Sequence, residues 1–225
     1  MKNINKYLVS LAIFSGFFFN SCSEEIVNID PYGTVKSETA FSSPTLVLAA
    51  VNGVYNAAQM GVFNGTEGAP ASRGYVFGAA YFQQNEARGE DVVNTQAFYQ
   101  ITYEANYDPT TANNVFYWSD AYQLINKANV VLKGLDGAVA KGTITEAVAN
   151  GYRAEVRFWR AYTHLELLKH FSMPYFHTAD ASHLGVPYRT EAIITPEDVD
   201  ANLTKGRNTV AECYTLALAD LNFVE

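Results

Sequence analysis

The 225-residue sequence has only two cysteines, Cys22 and Cys213, so no disulfide framework can hold its fold. Positive charge is also scarce: 15 basic residues stand against 23 acidic ones, for a net charge of -8, and no basic cluster follows the first few positions. A surface that tracks phosphates is therefore not available, and nucleic acid is excluded as a partner. The four histidines, His164, His170, His177 and His183, include no i, i+4 pair, and no cysteine lies at metal-ligand spacing. Neither a zinc site nor a Cys/His nucleophile is indicated. There is no phosphate-cradling glycine loop and no nucleophile elbow. Glu86, Glu90 and Asp91 are close along the chain, but that says nothing of the separation a glycosidase pair needs across a sugar. The chain reads as a non-enzyme with no cofactor and no metal. Finally, no apolar run approaches the ~20 residues that span a bilayer as a helix.

What is present is enough apolar material for one domain with a real core, 48% hydrophobic residues in all. Aromatic residues make up 14%, with 15 Tyr and 14 Phe, more than a small helical core of Leu and Ala needs. Some of those rings are expected to face a ligand or a partner. The first 21 residues have the form of a signal peptide: Lys2 and Lys6 precede the apolar stretch Tyr7 to Phe19, and polar sequence follows. Phe19-Asn20-Ser21-Cys22 resembles a loose lipoprotein box, which makes Cys22 the expected lipidation point. Two or more acyl chains anchor stably where one does so marginally, at ~0.8 kcal/mol per buried methylene. Residues 22–42 then read as an extended, lipidated tether, with a turn signal at Asp30-Pro31-Tyr32-Gly33.

From residue 43 the pattern is helical. Ser43 with Pro44 starts a helix to Met60, with Leu46, Ala50, Val54, Ala57 and Ala58 on one face and Asn52, Asn56 and Gln59 on the other. Gly61 to Asn114 breaks into Gly, Asn, Thr and Gln interleaved with rings, and a short helix is expected around Ala87 to Asn94. An irregular segment of that length is uncommon unless it has a function. A second helix carries Tyr117, Trp118, Ala121, Tyr122, Ile125, Ala128, Asn129, Leu132 and Leu135 and is expected to end at Gly134 to Gly137. A capping box at Thr143-Ile144-Thr145-Glu146 opens a third, running to about Phe171 ahead of Pro174. An irregular stretch follows from Tyr175 to Thr190, then a short helix after Thr195-Pro196. A second capping box, Thr209-Val210-Ala211-Glu212, opens a helix with Tyr214, Leu216, Leu218, Leu221 and Val224. Tyr214, Leu218 and Leu221 need a cover that no later element provides, so the sequence reads as part of a larger helical array. The fold class is all-α: degenerate tetratricopeptide-like helix pairs with long irregular insertions, over residues 43–225.

Three segments in order resemble the SusD/RagB family: Ala49-Ala50-Val51-Asn52-Gly53-Val54-Tyr55, then Trp118 with Ala121 to Asn129, then Ala154-Glu155-Val156-Arg157-Phe158-Trp159-Arg160-Ala161-Tyr162. Phe171-Ser172-Met173-Pro174-Tyr175 and the segment Arg207 to Leu221 complete the match. The resemblance implies an outer-membrane lipoprotein, palmitoylated and facing the medium, that captures glycan, or peptide in the RagB branch. It also implies a SusC-like TonB-dependent transporter as partner, and that this chain corresponds to the family's N-terminal portion. The acidic run Ser23-Glu24-Glu25 after Cys22 resembles a surface-export signal and fits that location.

Sugars present flat C–H faces and rings of hydroxyls, so their sites need aromatic platforms and a few planar polar groups. The irregular segment supplies Tyr81, Phe98 and Tyr99 as candidate platforms, and Arg88, Glu90, Asp91 and Asn94 as candidate polar contacts. The plainer reading is that Glu90 and Asp91 cap a helix or pair with Arg88 while the rings close the segment onto the helices. Trp118, Tyr122, Phe158, Trp159 and Tyr162 are expected to pack the core, and Glu155, Arg157 and Arg160 to mark a solvated or partner-facing side. A helical-repeat scaffold that holds another surface protein without a small ligand is the alternative function. Exposure of the rings between Gly61 and Asn114 separates the two.

Overall fold

A computed structural model describes residues 39–60, 73–97, 99–106 and 112–224, with the side chains of 112–114, 116 and 224 set aside. The signal peptide, Cys22, the tether as far as residue 38 and Phe98 lie outside the described residues. Those described belong to one unit, Ser37–Glu225. They are helical, with no strand among them beyond one isolated bridge between Leu184 and Thr209.

Helix α1 spans Pro44–Met60. The Ser43 hydroxyl accepts from the Leu46 amide at 3.3 Å, and Pro44 occupies the first turn, where a missing N–H costs nothing. Its deepest residues are Val47, Val51, Val54, Ala57 and Ala58, so the buried stripe is rotated one residue from the expected one and leaves Leu46 and Ala50 on its flank. Helix α2 (Ala79–Arg88) and the single turn α3 (Gln100–Tyr103) follow. The short helix expected at Ala87 to Asn94 is instead α2, which ends where that helix was to begin. Gly89 stops it, its amide returning to the Glu86 carbonyl at 3.0 Å.

Helix α4 (Ala112–Ala140) runs straight through Gly134 and Gly137, where an end was expected. Gly134 is there for contact: a Cβ at that position would lie 2.1 Å from Cζ of Phe41. The true stop is Gly142, at φ +70°, with its amide on the Val139 carbonyl and the Thr143 amide on that of Ala138. This is the Schellman arrangement of a helix C-terminus. It consumes Thr143, and so the cap of α5 (Glu146–Phe171) falls on Thr145, whose hydroxyl accepts from the Val148 amide at 3.3 Å. Glu146 does not reach back to close a box; it pairs with Arg153 at 2.8 Å. Helices α6 (Pro196–Asn202) and α7 (Val210–Leu221) carry complete capping boxes, Thr195 with Asp198 and Thr209 with Glu212.

Helices α1, α4, α5 and α7 pack as successive antiparallel neighbours. Gly53 lies against Lys127 and Phe41 against Gly134, which sets α1 along α4. Asp136 bonds Arg153 at one end of the α4–α5 pair, and Trp118 meets Phe171 edge-on at 4.9 Å at the other. Between α5 and α7 the join is ionic. Arg160 is only 6% exposed and donates through Nε to Asp220 Oδ2 at 2.8 Å and through Nη1 to Asn129 Oδ1 at 2.7 Å. The Tyr188 hydroxyl donates to the same Asp220 oxygen at 3.1 Å. The expectation that Arg160 marks a solvated side is therefore corrected: it is the interior tie between α4, α5 and α7.

His164 completes this polar interior. Its Nε2 accepts from the Arg189 amide at 3.0 Å, which leaves Nδ1 as the donor to the Arg160 carbonyl at 2.8 Å. Its ring stacks on Tyr188 at 3.7 Å. Only the neutral imidazole with hydrogen on Nδ1 satisfies both bonds, and burial pushes the pKa down to about 3. Residues 184–195 have no regular structure, yet α4 holds them by three side chains one turn apart. Tyr122 donates to the Pro187 carbonyl, Asn126 bonds both backbone groups of Ile193, and Asn129 donates to the Arg189 and Glu191 carbonyls.

Candidate functional site

The irregular segment is anchored at residues 73–78. Helix α1 ends with carbonyls that need donors, and the turn supplies them: the Gly74 amide bonds Met60 O and the Phe77 amide bonds Ala58 O, both at 3.1 Å. Gly78 lies so close to α1 that a Cβ would meet the Gln59 carbonyl at 2.0 Å. This seating directs Phe77 onto α5, where its ring stacks on Tyr162 at 4.9 Å and tilts against Trp159 at 5.5 Å.

Helix α2 carries Tyr81 and Arg88. The Tyr81 hydroxyl donates to Glu166 Oε2 at 2.9 Å, and Lys169 Nζ reaches the same oxygen at 2.6 Å. Burial first, and then the Glu166 carboxylate, push the Tyr81 phenol above its ordinary pKa. Behind it the buried ring of Tyr117 lies 6.2 Å from Tyr81 and 4.8 Å from His170. Arg88 is exposed and donates to Asn85 at 3.2 Å. Among the described residues no ion pair joins it to Glu90 or Asp91, which are exposed beyond the end of α2 and do not cap it. Asn94 spends its amide on the Gln96 carbonyl and the Gln100 side chain. Tyr99 is half-buried in the left-handed conformation, φ 64°, at the start of α3, and burial foremost lifts its phenol to about 12. The structure thus gathers Tyr81 with Glu166 and Lys169 on α5, and leaves Arg88, Glu90 and Asp91 as separate exposed groups.

Ring exposure in the irregular segment is divided. Tyr75 is buried, Phe77, Tyr81 and Tyr99 are half-buried, and Phe82 is 61% exposed. The larger finding is on α5, where Phe158 and Tyr162, expected in the core, are 41% and 37% exposed. They stack on each other at 5.7 Å, one turn apart on the side of α5 opposite the buried Arg160 and His164. With Tyr55, Trp159, Phe77, Tyr81 and Phe82 they form a continuous strip in which successive centroids lie within 6.0 Å. Glu155, which accepts from the Tyr55 hydroxyl at 2.6 Å, and the Glu166–Lys169 pair give it polar edges. The sequence placed Phe158 and Tyr162 one turn apart on a single side of α5 and assigned both to the core. It could not show that Phe77 would lie beside that stripe and leave its outer half open. By contrast Trp118 and Tyr122 pack as expected, against each other at 4.8 Å.

Among the described residues no group of His, Cys, Asp and Glu is placed to hold a metal ion, and no helix is long and apolar enough to cross a membrane. Free Cys213 is buried, and its thiol donates to the Val186 carbonyl.

Solved structures similar to this chain include two SusD-type proteins. A SusD superfamily protein from Bacteroides fragilis matches with a TM-score of 0.66 and 30% identity, over 81% of this chain and 39% of that one. A SusD-like carbohydrate binding protein from Bacteroides vulgatus shares the fold at a TM-score of 0.62 and 23% identity, over 81% of this chain and 35% of that one. The chain therefore spans less than half the length of either. No curated protein matches it. The model of a SusD-like family, described as starch-binding and associating with the outer membrane, matches residues 30–223. Because that match covers most of the chain, the chain belongs to the SusD-like family.

Proposed function

We propose that this protein captures carbohydrate at the bacterial surface and hands it to a SusC-like TonB-dependent transporter, without chemical change. The observation that carries the reading is the exposed aromatic strip centred on Phe77, Phe158 and Tyr162. Partly exposed rings lying side by side suit the C–H faces of pyranoses, and the charged groups at the edges can bond hydroxyls. Starch is the first ligand to test, because the family is described as starch-binding. Arg88, Glu90 and Asp91, exposed past the end of α2, are proposed as further polar contacts at the margin of the same surface. Lipidation at Cys22 would hold the chain at the outer leaflet, where a transporter partner could receive the ligand.

The test is calorimetric titration of the protein with maltooligosaccharides and a panel of other glycans, repeated on Phe158→Ala and Tyr162→Ala. Weak binding without hydrolysis is expected, and loss of one stacked ring lowers affinity roughly tenfold, as ~1.4 kcal/mol per ring implies. No binding across the panel, or turnover of a bound glycan, would remove the reading. Co-purification of a large outer-membrane barrel from the native host tests the transporter half separately.

A further inference from the structure

The aromatic strip follows one side of α5, and that side carries a carboxylate at each end. Phe158, Trp159 and Tyr162 stand three, four and seven residues after Glu155, and Glu166 stands four residues after Tyr162. At ~1.5 Å per residue the two acids lie ~16 Å apart along the helix. The ends are not alike. Glu166 is 7% exposed, and Lys169 neutralises it at 2.6 Å. Glu155 is exposed and accepts one hydrogen bond, from the Tyr55 hydroxyl at 2.6 Å. The arginines nearest to it along α5 are engaged elsewhere. Arg153 holds Asp136 and Glu146, while Arg157 lies over the Phe223 ring at 4.2 Å with Asp220 at 3.8 Å. Among the described residues no cation pairs with Glu155. A carboxylate offers about four lone-pair positions, and Tyr55 takes one while fixing the group beside the Trp159 ring, which it meets edge-on at 5.5 Å.

We propose that Glu155 makes the strip selective for uncharged glycans: it accepts from two neighbouring hydroxyls of a sugar seated on the rings, and it repels sugars that carry a carboxylate or a sulfate. The inference rests on the carbohydrate reading and narrows it to a class. A neutral pyranose supplies hydroxyl donors to an acceptor already held in place, and a hydrogen bond to a charged acceptor is stronger than one between neutral groups. An anionic sugar brings a second negative charge against a carboxylate that no cation offsets, on a chain whose net charge is already -8. Discrimination by a repulsive contact of this kind needs no additional attraction for the accepted ligand. Starch, an uncharged glucan, belongs to the accepted class.

The experiment titrates the whole chain calorimetrically with maltohexaose and cellohexaose, and with the same two sugars after oxidation of their 6-hydroxyls to carboxylates, so that the backbone is constant within each pair. At low salt the oxidised form is expected to bind at least tenfold more weakly, with the gap narrowing as salt is added. Glu155→Gln keeps the planar hydrogen-bonding group without its charge and should close most of the gap by raising the affinity for the oxidised sugar. Glu197→Gln removes an exposed charge on α6, outside the strip, and should leave the gap as wide as before. Thermal melts show that both variants fold. Equal affinities within a pair, preference for the oxidised form, or equal narrowing by the two variants overturns the selectivity and leaves the carbohydrate reading standing. No binding by any of the four sugars also removes the selectivity as argued, and failure of the wider glycan panel as well removes the carbohydrate reading with it.

Discussion

Helix α5 has two sides that reverse the usual pattern. One side buries an arginine, a histidine and a threonine; the other exposes Phe158 and Tyr162. On the buried side every strong polar group has a fixed answer: Arg160 has Asp220 and Asn129, and His164 has Arg189 and the Arg160 carbonyl. On the exposed side the rings meet other rings: each other, Phe77 and Trp159. Burial of a charge is tolerated where several elements converge to satisfy it, and apolar exposure persists where something else is to be met. The first side should govern stability and the second recognition.

The strongest way to break this contrast is Arg160→Ala, which removes both close bonds to buried Asp220 and leaves it only the longer ion pair with Arg157 at 3.8 Å. A loss of about 3–5 kcal/mol is expected, read as a shift in the urea midpoint. Next comes pH. Unfolded, His164 titrates at its ordinary 6.5; folded, its pKa is about 3. The unfolded chain therefore takes up the proton first, so stability is full above pH 6.5 and falls as pH drops toward 3, by up to ~1.4 kcal/mol per pH unit. Urea midpoints measured from pH 7 to pH 4 check this, and His164→Asn should flatten the slope. Asp120 has the opposite sign. It is 7% exposed, and burial pushes its pKa up to about 6 from the ordinary 3.8. Its neutral form suits the fold, so its contribution is present below pH 3.8 and lost as pH rises through 6. Asp120→Asn should gain on the order of 1 kcal/mol at pH 8 and nothing below pH 4, measured by the same midpoints. Smallest of all, Phe158→Ser should move the midpoint by ~0.5 kcal/mol or less, as surface substitutions do. A larger loss would mean that the exposed side is structural too.

Much of the fold could be read from local chemistry. Pro44, the capping box at Thr209 and Glu212, and the apolar period of α4 and α5 each act within one or two turns, and each element stands close to where those signals place it. The errors arose where tertiary contact overrode a local signal. Gly134 looked like a stop but is a notch for Phe41, and Thr143 looked like a cap but is taken by the Schellman turn after α4. Arg160 looked solvated because its partners lie 31 and 60 residues away in sequence. The candidate site was less legible still. Tyr81 was singled out as a candidate from composition, but its neighbours on the strip come from α1, the turn at 73–78 and α5, and no spacing along the chain joins them.

The side-chain ties along α4 have a consequence for the exchange of amide hydrogens with solvent. Between residues 184 and 195 the backbone has no helix and no ladder, and such a stretch would ordinarily exchange within the dead time and be cut readily by proteases. Here the amides of Tyr188, Arg189 and Ile193 are each claimed by a side chain, from Asn208, His164 and Asn126 in turn. These three should exchange as slowly as amides in the middle of α5, because together they tie the segment to α4, to α5 and to the approach to α7. A segment with no repeating shape would then report, residue by residue, on the global opening of the helical array.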